Sequence, residues 1–310
     1  MHWNGIMPAM TTAFHPDLSI DHEFMAQHAD WMLRNGCTGL VMLGSLGEGA
    51  TLRDDEKIAI LRNIIAMVAG RAPVVAAISS LSTANAVTLA RQAEQAGCDG
   101  LMVLPPYVYS SDWREMRAHV SAILNATPLS CMLYNNPVAY KTDFLPEQIA
   151  ELAAHHENLH AVKESSADIR RVAAIRSLVG ERLNILVGVD DAIVEGLDAG
   201  AAGWIAGLVN AFPAESVALF NLASAGKSRE TFDLYRWFLP LLRMDTVPKF
   251  VQLIKLAQQE IGVGSARVRP PRLELEGDEL SSAQRMLDHA LLTRPHIAAI
   301  AFTESAGARA

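Results

Sequence analysis

The stretch VVAAISSLSTANAVTLARQAEQAGCDGLMVL, Val74–Leu104, decides the fold. It opens on a short apolar run, Val74–Ile78, and closes on another, Gly100–Leu104, and neither alternates polar with apolar residues. Continuous apolarity over so short a run suits a strand covered on both faces. Between the two runs the apolar residues fall at helical spacing behind Ser82, a capping residue. Strand, helix, strand in succession is the unit of a parallel sheet, because parallel neighbours need a crossover connection.

The same alternation extends in both directions. Gly5–Met10, Gly39–Leu43, Leu129–Tyr134, His160–Lys163, Ile185–Val189 and Gly203–Gly207 complete a set of about eight strand candidates, and Asp21, Asp54, Asp112 and Asp168 precede helical stretches as caps. Eight such units predict an α/β fold, a (β/α)8 TIM barrel over residues 1–226, with an open doubly wound sheet as the alternative, because periodicity does not show whether a sheet closes. Beyond Gly226 the segments Arg229–Leu242, Thr246–Ile261 and Glu279–Leu292 read as helices without strands between them. Residues 227–300 are therefore expected as a C-terminal helical extension packed on the barrel, and 301–310 as a frayed tail. Gly262–Gly277, with Pro270 and Pro271, reads as loop.

Composition narrows the function. Half of the 310 residues are hydrophobic and 19% are charged, which suits a large buried core. A net charge of -8 argues against a nucleic-acid partner, which would call for a basic face. No stretch approaches the roughly 18 uninterrupted apolar residues of a membrane span, and the first residues lack a basic start followed by an apolar run, so a cytoplasmic protein is expected. Cys37, Cys98 and Cys131 sit far apart in or beside apolar runs, as buried thiols do. His155–His156 and Asp190–Asp191 lack a spaced third ligand, and no metal is expected.

A barrel of this kind builds its active site at the C-terminal ends of its strands. Polar residues there become candidates: Ser45 and Glu48, Tyr107 and Tyr109, Tyr134 and Asn135, Lys163 and Glu164, Asp190 and Asp191. Lys163, in HAVKESS, ends an apolar strand. Burial there disfavours an ammonium and raises the fraction of free amine, which a Schiff-base lysine needs. The alternative is a lysine paired with Glu164. Tyr134, at the end of LSCMLYNNP, carries a phenol able to relay protons, or else packs as a core tyrosine, while Asn135 is expected to fix the turn. The segment GSLGEG, Gly44–Gly49, follows a strand, and its glycines could admit a substrate carboxylate to the backbone amides beside Ser45, or simply form a tight turn.

Taken together, GSLGE, YNNP, VKESS and GVDD resemble the dihydrodipicolinate synthase/N-acetylneuraminate lyase family over nearly the whole chain. The resemblance implies a class I lyase in which Lys163 forms the Schiff base with a 2-oxo acid, Tyr134 relays protons and no cofactor is used. It implies further that Ser45 and Leu46 bind the substrate carboxylate, that Gly188 and Ile205 line the pocket, and that Tyr107 joins the relay across a dimer of a homotetramer. Family synthases carry an arginine where this chain has Ala139, and usually a threonine where it has Leu46. GSLGEG, YNNPVAY, VKESSADIRR, GWIAGLVNAFP and YRWFLPLL are similar instead to the family's Δ1-pyrroline-4-hydroxy-2-carboxylate deaminases, which implies a cyclic imine carboxylate as substrate. A pyruvate-dependent aldolase or synthase is the alternative, and a carboxylate-binding barrel without catalysis a second.

Overall fold

The computed structural model describes residues 1–106 and 112–297. Eight strands run in parallel: β1 Gly5–Pro8, β2 Leu40–Met42, β3 Val74–Ile78, β4 Gly100–Val103, β5 Ser130–Asn135, β6 Leu159–Glu164, β7 Asn184–Val187 and β8 Gly203–Ala206. Their order is β1-β8-β7-β6-β5-β4-β3-β2. The two ends of that series meet through a parallel bridge between Ala9 and Val41, where the Met10 amide donates to the Val41 carbonyl at 2.9 Å. The sheet is thus a (β/α)8 barrel, and the open-sheet alternative falls away.

Every residue of β2, β3 and β4 is buried, as continuous apolarity requires. Trp3 lies beneath the strands, fully buried, its indole N–H on Ser130 Oγ at 2.8 Å. The helices start where side chains can take up their first amides. Asp21 accepts from the Phe24 amide and Asp112 from that of Glu115, both at 2.9 Å, and Ser82 accepts from that of Asn85 at 3.4 Å. Asp54 does not cap: it is the first residue of its helix, and the Glu56 carboxylate instead reaches back to the Arg53 amide at 2.9 Å. Asp168 likewise stands one residue outside the cap position, taking the Arg170 amide at 3.1 Å.

After the helix Pro213–Ser224, which follows β8, come the C-terminal helices Ser228–Leu242, Phe250–Glu260 and Gly277–Leu292. Phe250–Glu260 packs back against the mouth of the barrel. Its Lys255 Nζ donates to the Thr12 carbonyl at 2.8 Å, and its Gln258 Oε1 accepts from Thr11 Oγ1 at 3.0 Å. The cysteines are free and buried. Among the described residues no helix is long and apolar enough to cross a membrane.

Candidate active site

Tyr134 and Lys163 are register partners on β5 and β6. Side chains alternate across a strand, so both point to the same face of the sheet, and their neighbours Asn135 and Glu164 point to the other. Lys163 is 6% and Tyr134 5% exposed, and the lysine Nζ stands 4.1 Å from the centre of the tyrosine ring. The outward pair forms a separate network. Glu164 takes the Ser166 amide at 2.6 Å and the Asn135 side-chain amide at 3.1 Å, and Asn135 Oδ1 accepts from the Phe144 amide at 3.0 Å. Asn135 therefore fixes the turn as expected, and Glu164 is engaged away from Lys163.

The lysine stem is held by the residue that follows β7. A Cβ built on Gly188 would stand 2.5 Å from Lys163 Cε, 2.7 Å from Lys163 Cγ and 2.0 Å from Ser165 Oγ. Glycine there makes room for the lysine. Ile205, 1% exposed, pairs with Met7 across β8 and β1.

Ser45 sits on the loop after β2. Its hydroxyl hydrogen-bonds the phenol of Tyr140, whose ring meets that of Tyr134 edge-on at 5.7 Å between centres. Ser45, Tyr140, Tyr134 and Lys163 thus form a continuous chain of contacts. Tyr140 was missed from sequence; the signal was its place at the end of YNNPVAY, on the short helix Pro137–Tyr140 that follows β5. The Tyr134 hydroxyl accepts from Asn136 Nδ2 at 3.0 Å.

Two glycines of GSLGEG fit the tight-turn reading of that segment. A Cβ on Gly49 would meet the Leu43 carbonyl oxygen at 2.1 Å, and one on Gly47 the Met10 carbonyl oxygen at 2.7 Å. They let backbone pack on backbone. Glu48, at φ 54°, anchors the loop from below, its carboxylate bonded to Lys255 Nζ at 2.9 Å and to the Arg269 amide at 3.0 Å. Both charges of that ion pair are buried, at 2% and 0% exposure, and Leu46 is buried above it.

Two further carboxyls act on Lys163. Asp190, fully buried, accepts from the Trp204 indole at 2.9 Å, the Gly207 amide at 3.0 Å and the Leu208 amide at 2.7 Å. Burial pushes it up to about 6, against the pull of those donors and of the Lys163 charge. Asp245 comes from the turn Arg243–Thr246, between the first two C-terminal helices. Burial, and then the charge of Asp190, raise it well above the usual carboxylate range, against the pull of Lys163. Asp245 was missed because nothing in its local sequence marks a strand end. Tyr107 and Tyr109 lie outside the described residues. Among the described residues no group of three or more His, Cys, Asp and Glu is placed to hold a metal ion.

A barrel with a buried lysine against a tyrosine at its mouth can be set beside known proteins. The model of the Dihydrodipicolinate synthetase family matches residues 2–290. The chain belongs to that family. It is accordingly a lyase-family enzyme with the barrel of the Schiff-base class I aldolases. A 4-hydroxy-tetrahydrodipicolinate synthase of Xanthomonas axonopodis pv. citri is 37% identical over 228 residues, 73% of this chain and 75% of its own. The solved 4-hydroxy-tetrahydrodipicolinate synthase of Methylacidiphilum fumariolicum SolV superimposes with a TM-score of 0.89 at 27% identity, covering 94% of this chain and 98% of its own. YagE, a prophage protein of E. coli K12 in the same family, solved in complex with pyruvate, gives 0.88 at 27% identity, covering 94% and 99%.

Proposed function

We propose that the protein is a cytoplasmic Δ1-pyrroline-4-hydroxy-2-carboxylate deaminase that works through a Schiff base on Lys163. The lysine adds to C2 of the cyclic imine, and transimination opens the ring, freeing its nitrogen as a primary amine. The protonated Schiff base acidifies C3, and Tyr134 relays that proton away. The enamine so formed expels the 4-hydroxyl. Tautomerisation and hydrolysis then release ammonia and 2,5-dioxopentanoate. Ser45 and Leu46 bind the substrate carboxylate, and Gly188 and Ile205 shape the pocket. Tyr107 belongs to the same proposal as a relay residue given by a second subunit of a homotetramer, as does the domain division at residue 226.

The observation that carries the reading is Ala139. Family synthases use an arginine at that place to hold a second carboxylate, and here the residue is an exposed alanine. The nearest cation in sequence, Lys141, folds back to donate to the Val138 carbonyl at 2.9 Å. The pocket is thus suited to a substrate with one carboxylate. A pyruvate-dependent synthase or aldolase is the second reading, favoured by the names of the curated relatives.

Supplying cis-4-hydroxy-D-proline together with its oxidase should give release of ammonia. Condensation of pyruvate with an aldehyde, and no ammonia, would refute the deaminase reading in favour of the aldolase. Borohydride added during turnover should leave a mass adduct on Lys163, and an unmodified lysine would sink both.

A further inference from the structure

Elimination of a hydroxyl from the enamine needs a proton delivered to the departing oxygen, because hydroxide is a poor leaving group. Tyr134 is assigned to the C3 proton. The carboxyls around Lys163 offer an acid for the departing oxygen. Asp190 and Asp245 converge on Gly207: the Asp190 carboxylate holds the Gly207 amide at 3.0 Å, and a Cβ on Gly207 would lie 2.2 Å from Asp245 Oδ1. No side chain but glycine fits between the two carboxyls.

Their surroundings divide the roles. Asp190 is sealed, with donors from Trp204, Gly207 and Leu208 on its two oxygens, and such bonds favour the ionised form. Asp245 keeps some solvent access, as a group that meets substrate must. Two carboxyls held this close do not both ionise, so the proton settles on the one with fewer donors. The other charges facing the pair are Lys163 and Asp191, the latter bound to Arg243 at 3.4 Å. Asp191 opposes ionisation of Asp245 and Lys163 favours it. Once the lysine nitrogen carries substrate, loss of the C3 proton turns the cationic Schiff base into a neutral enamine, and the pull on Asp245 weakens at the stage where a neutral acid is needed.

We propose that Asp245 is the general acid that delivers a proton to the departing 4-hydroxyl. The step balances. The C2=C3 electrons of the enamine form the C3=C4 double bond, the nitrogen lone pair restores the C=N bond to Lys163, the C4–O bond breaks, and oxygen leaves as water with the Asp245 proton. Asp245 ends as a carboxylate and regains a proton from solvent through its open side before the next turnover. The assignment rests on the deaminase reading above, since an aldol cleavage has no hydroxide to expel.

The test is leaving-group rescue. Asp245→Asn should lower kcat for ammonia release from the 4-hydroxy imine by roughly 100-fold or more, the usual contribution of a general acid. On the 4-chloro imine, whose chloride needs no proton, the same variant should stay within about threefold of wild type. Asp245→Glu should recover part of the activity on the hydroxyl substrate. Equal losses on both substrates would assign Asp245 a structural role and overturn the proposal, as would full kcat of Asp245→Asn on the hydroxyl substrate. A wild-type enzyme inert towards the 4-hydroxy imine would instead overturn the deaminase reading, and this assignment with it.

Discussion

Substituting Gly188→Ala tests the site through a single methyl group. Its backbone is not in the left-handed region, so the effect comes from contact alone. The new Cβ would stand 2.5 Å from Lys163 Cε and 2.7 Å from Lys163 Cγ, where carbon atoms rest at about 3.5–4.0 Å. The stem must therefore move by about 1 Å, and a misplacement of that size at a reacting group costs roughly 100-fold in rate. The third contact, 2.0 Å to Ser165 Oγ, is relieved by turning the serine, whose hydroxyl has no hydrogen-bond partner to lose. Two contacts along one stem leave the lysine no such escape. Overpacking also lowers stability by about 1–3 kcal/mol, which a thermal melt should register without loss of the fold. The assay follows the rate at which borohydride traps a Lys163 adduct, alongside kcat/KM. Adding Ser165→Ala should leave the defect in place, because the lysine contacts remain. If Gly188→Ala trapped the adduct at the wild-type rate, or if Ser165→Ala restored it, the lysine would not be positioned as argued.

Tyr134→Phe should slow turnover by about 100- to 10,000-fold with an unchanged circular dichroism spectrum, the usual range for a lost proton relay, and unchanged turnover would remove that role. His28 is fully buried against the Asn210 carbonyl at 2.7 Å, and burial lowers it from 6.5 to about 4. Between those values the unfolded chain binds more protons than the folded one, so stability present at neutral pH is lost as pH falls from 6.5 towards 4. The loss from this residue is about 3 kcal/mol, and urea titrations at pH 7 and about 4.5 should show a smaller acid loss for His28→Gln. Lys255→Met removes the nearer of the two cations on the buried Glu48 carboxylate, leaving Arg272 at 3.9 Å, and should destabilise the protein by up to about 3–5 kcal/mol, with partial recovery on adding Glu48→Gln, both read by chemical denaturation.

The barrel was legible because each strand is covered on both faces and so reads as an uninterrupted apolar run. Its closure was not, because closure depends on the Ala9–Val41 bridge between strands with no pattern of their own to announce it. Lys163 and Tyr134 could be found because a charged and a phenolic residue ending apolar strands stand out against their neighbours. Their pairing across β5 and β6 is a matter of register, which the sequence of either strand leaves free. Asp245 was invisible for a physical reason. It follows a helix whose apolar stripe advertises only packing, and its approach to Gly207 is a tertiary contact that no local pattern announces. GSLGEG left an anion loop and a tight turn both open, because the spacing of its glycines shows freedom without showing what uses it; at Gly49 and Gly47 the carbonyls of Leu43 and Met10 do.

The charges around the lysine bear on which substrate it takes. Lys255 is bound to Glu48, Arg243 to Asp191, and Lys141 to a carbonyl oxygen of its own turn. Each of these cations has its partner. Lys163 faces Asp190, whose hydrogen bonds favour the carboxylate, and Asp245, which burial and the charge of Asp190 raise above the usual carboxylate range. In the proposed reaction a Schiff base on Lys163 contributes one positive charge while protonated, and one substrate carboxylate at the Ser45 loop would add one negative charge beside it. A second carboxylate, as a synthase condensing two acids would bring, adds a further negative charge next to two aspartates with Ala139 where an arginine would compensate it. In a partly buried site that charge is strongly disfavoured. Substituting Ala139→Arg should therefore strengthen binding of a dicarboxylic 2-oxo acid such as oxaloacetate over pyruvate, measured as competitive inhibition. An unchanged preference would mean that residue 139 does not face the substrate, and the case against a second carboxylate would lose its basis.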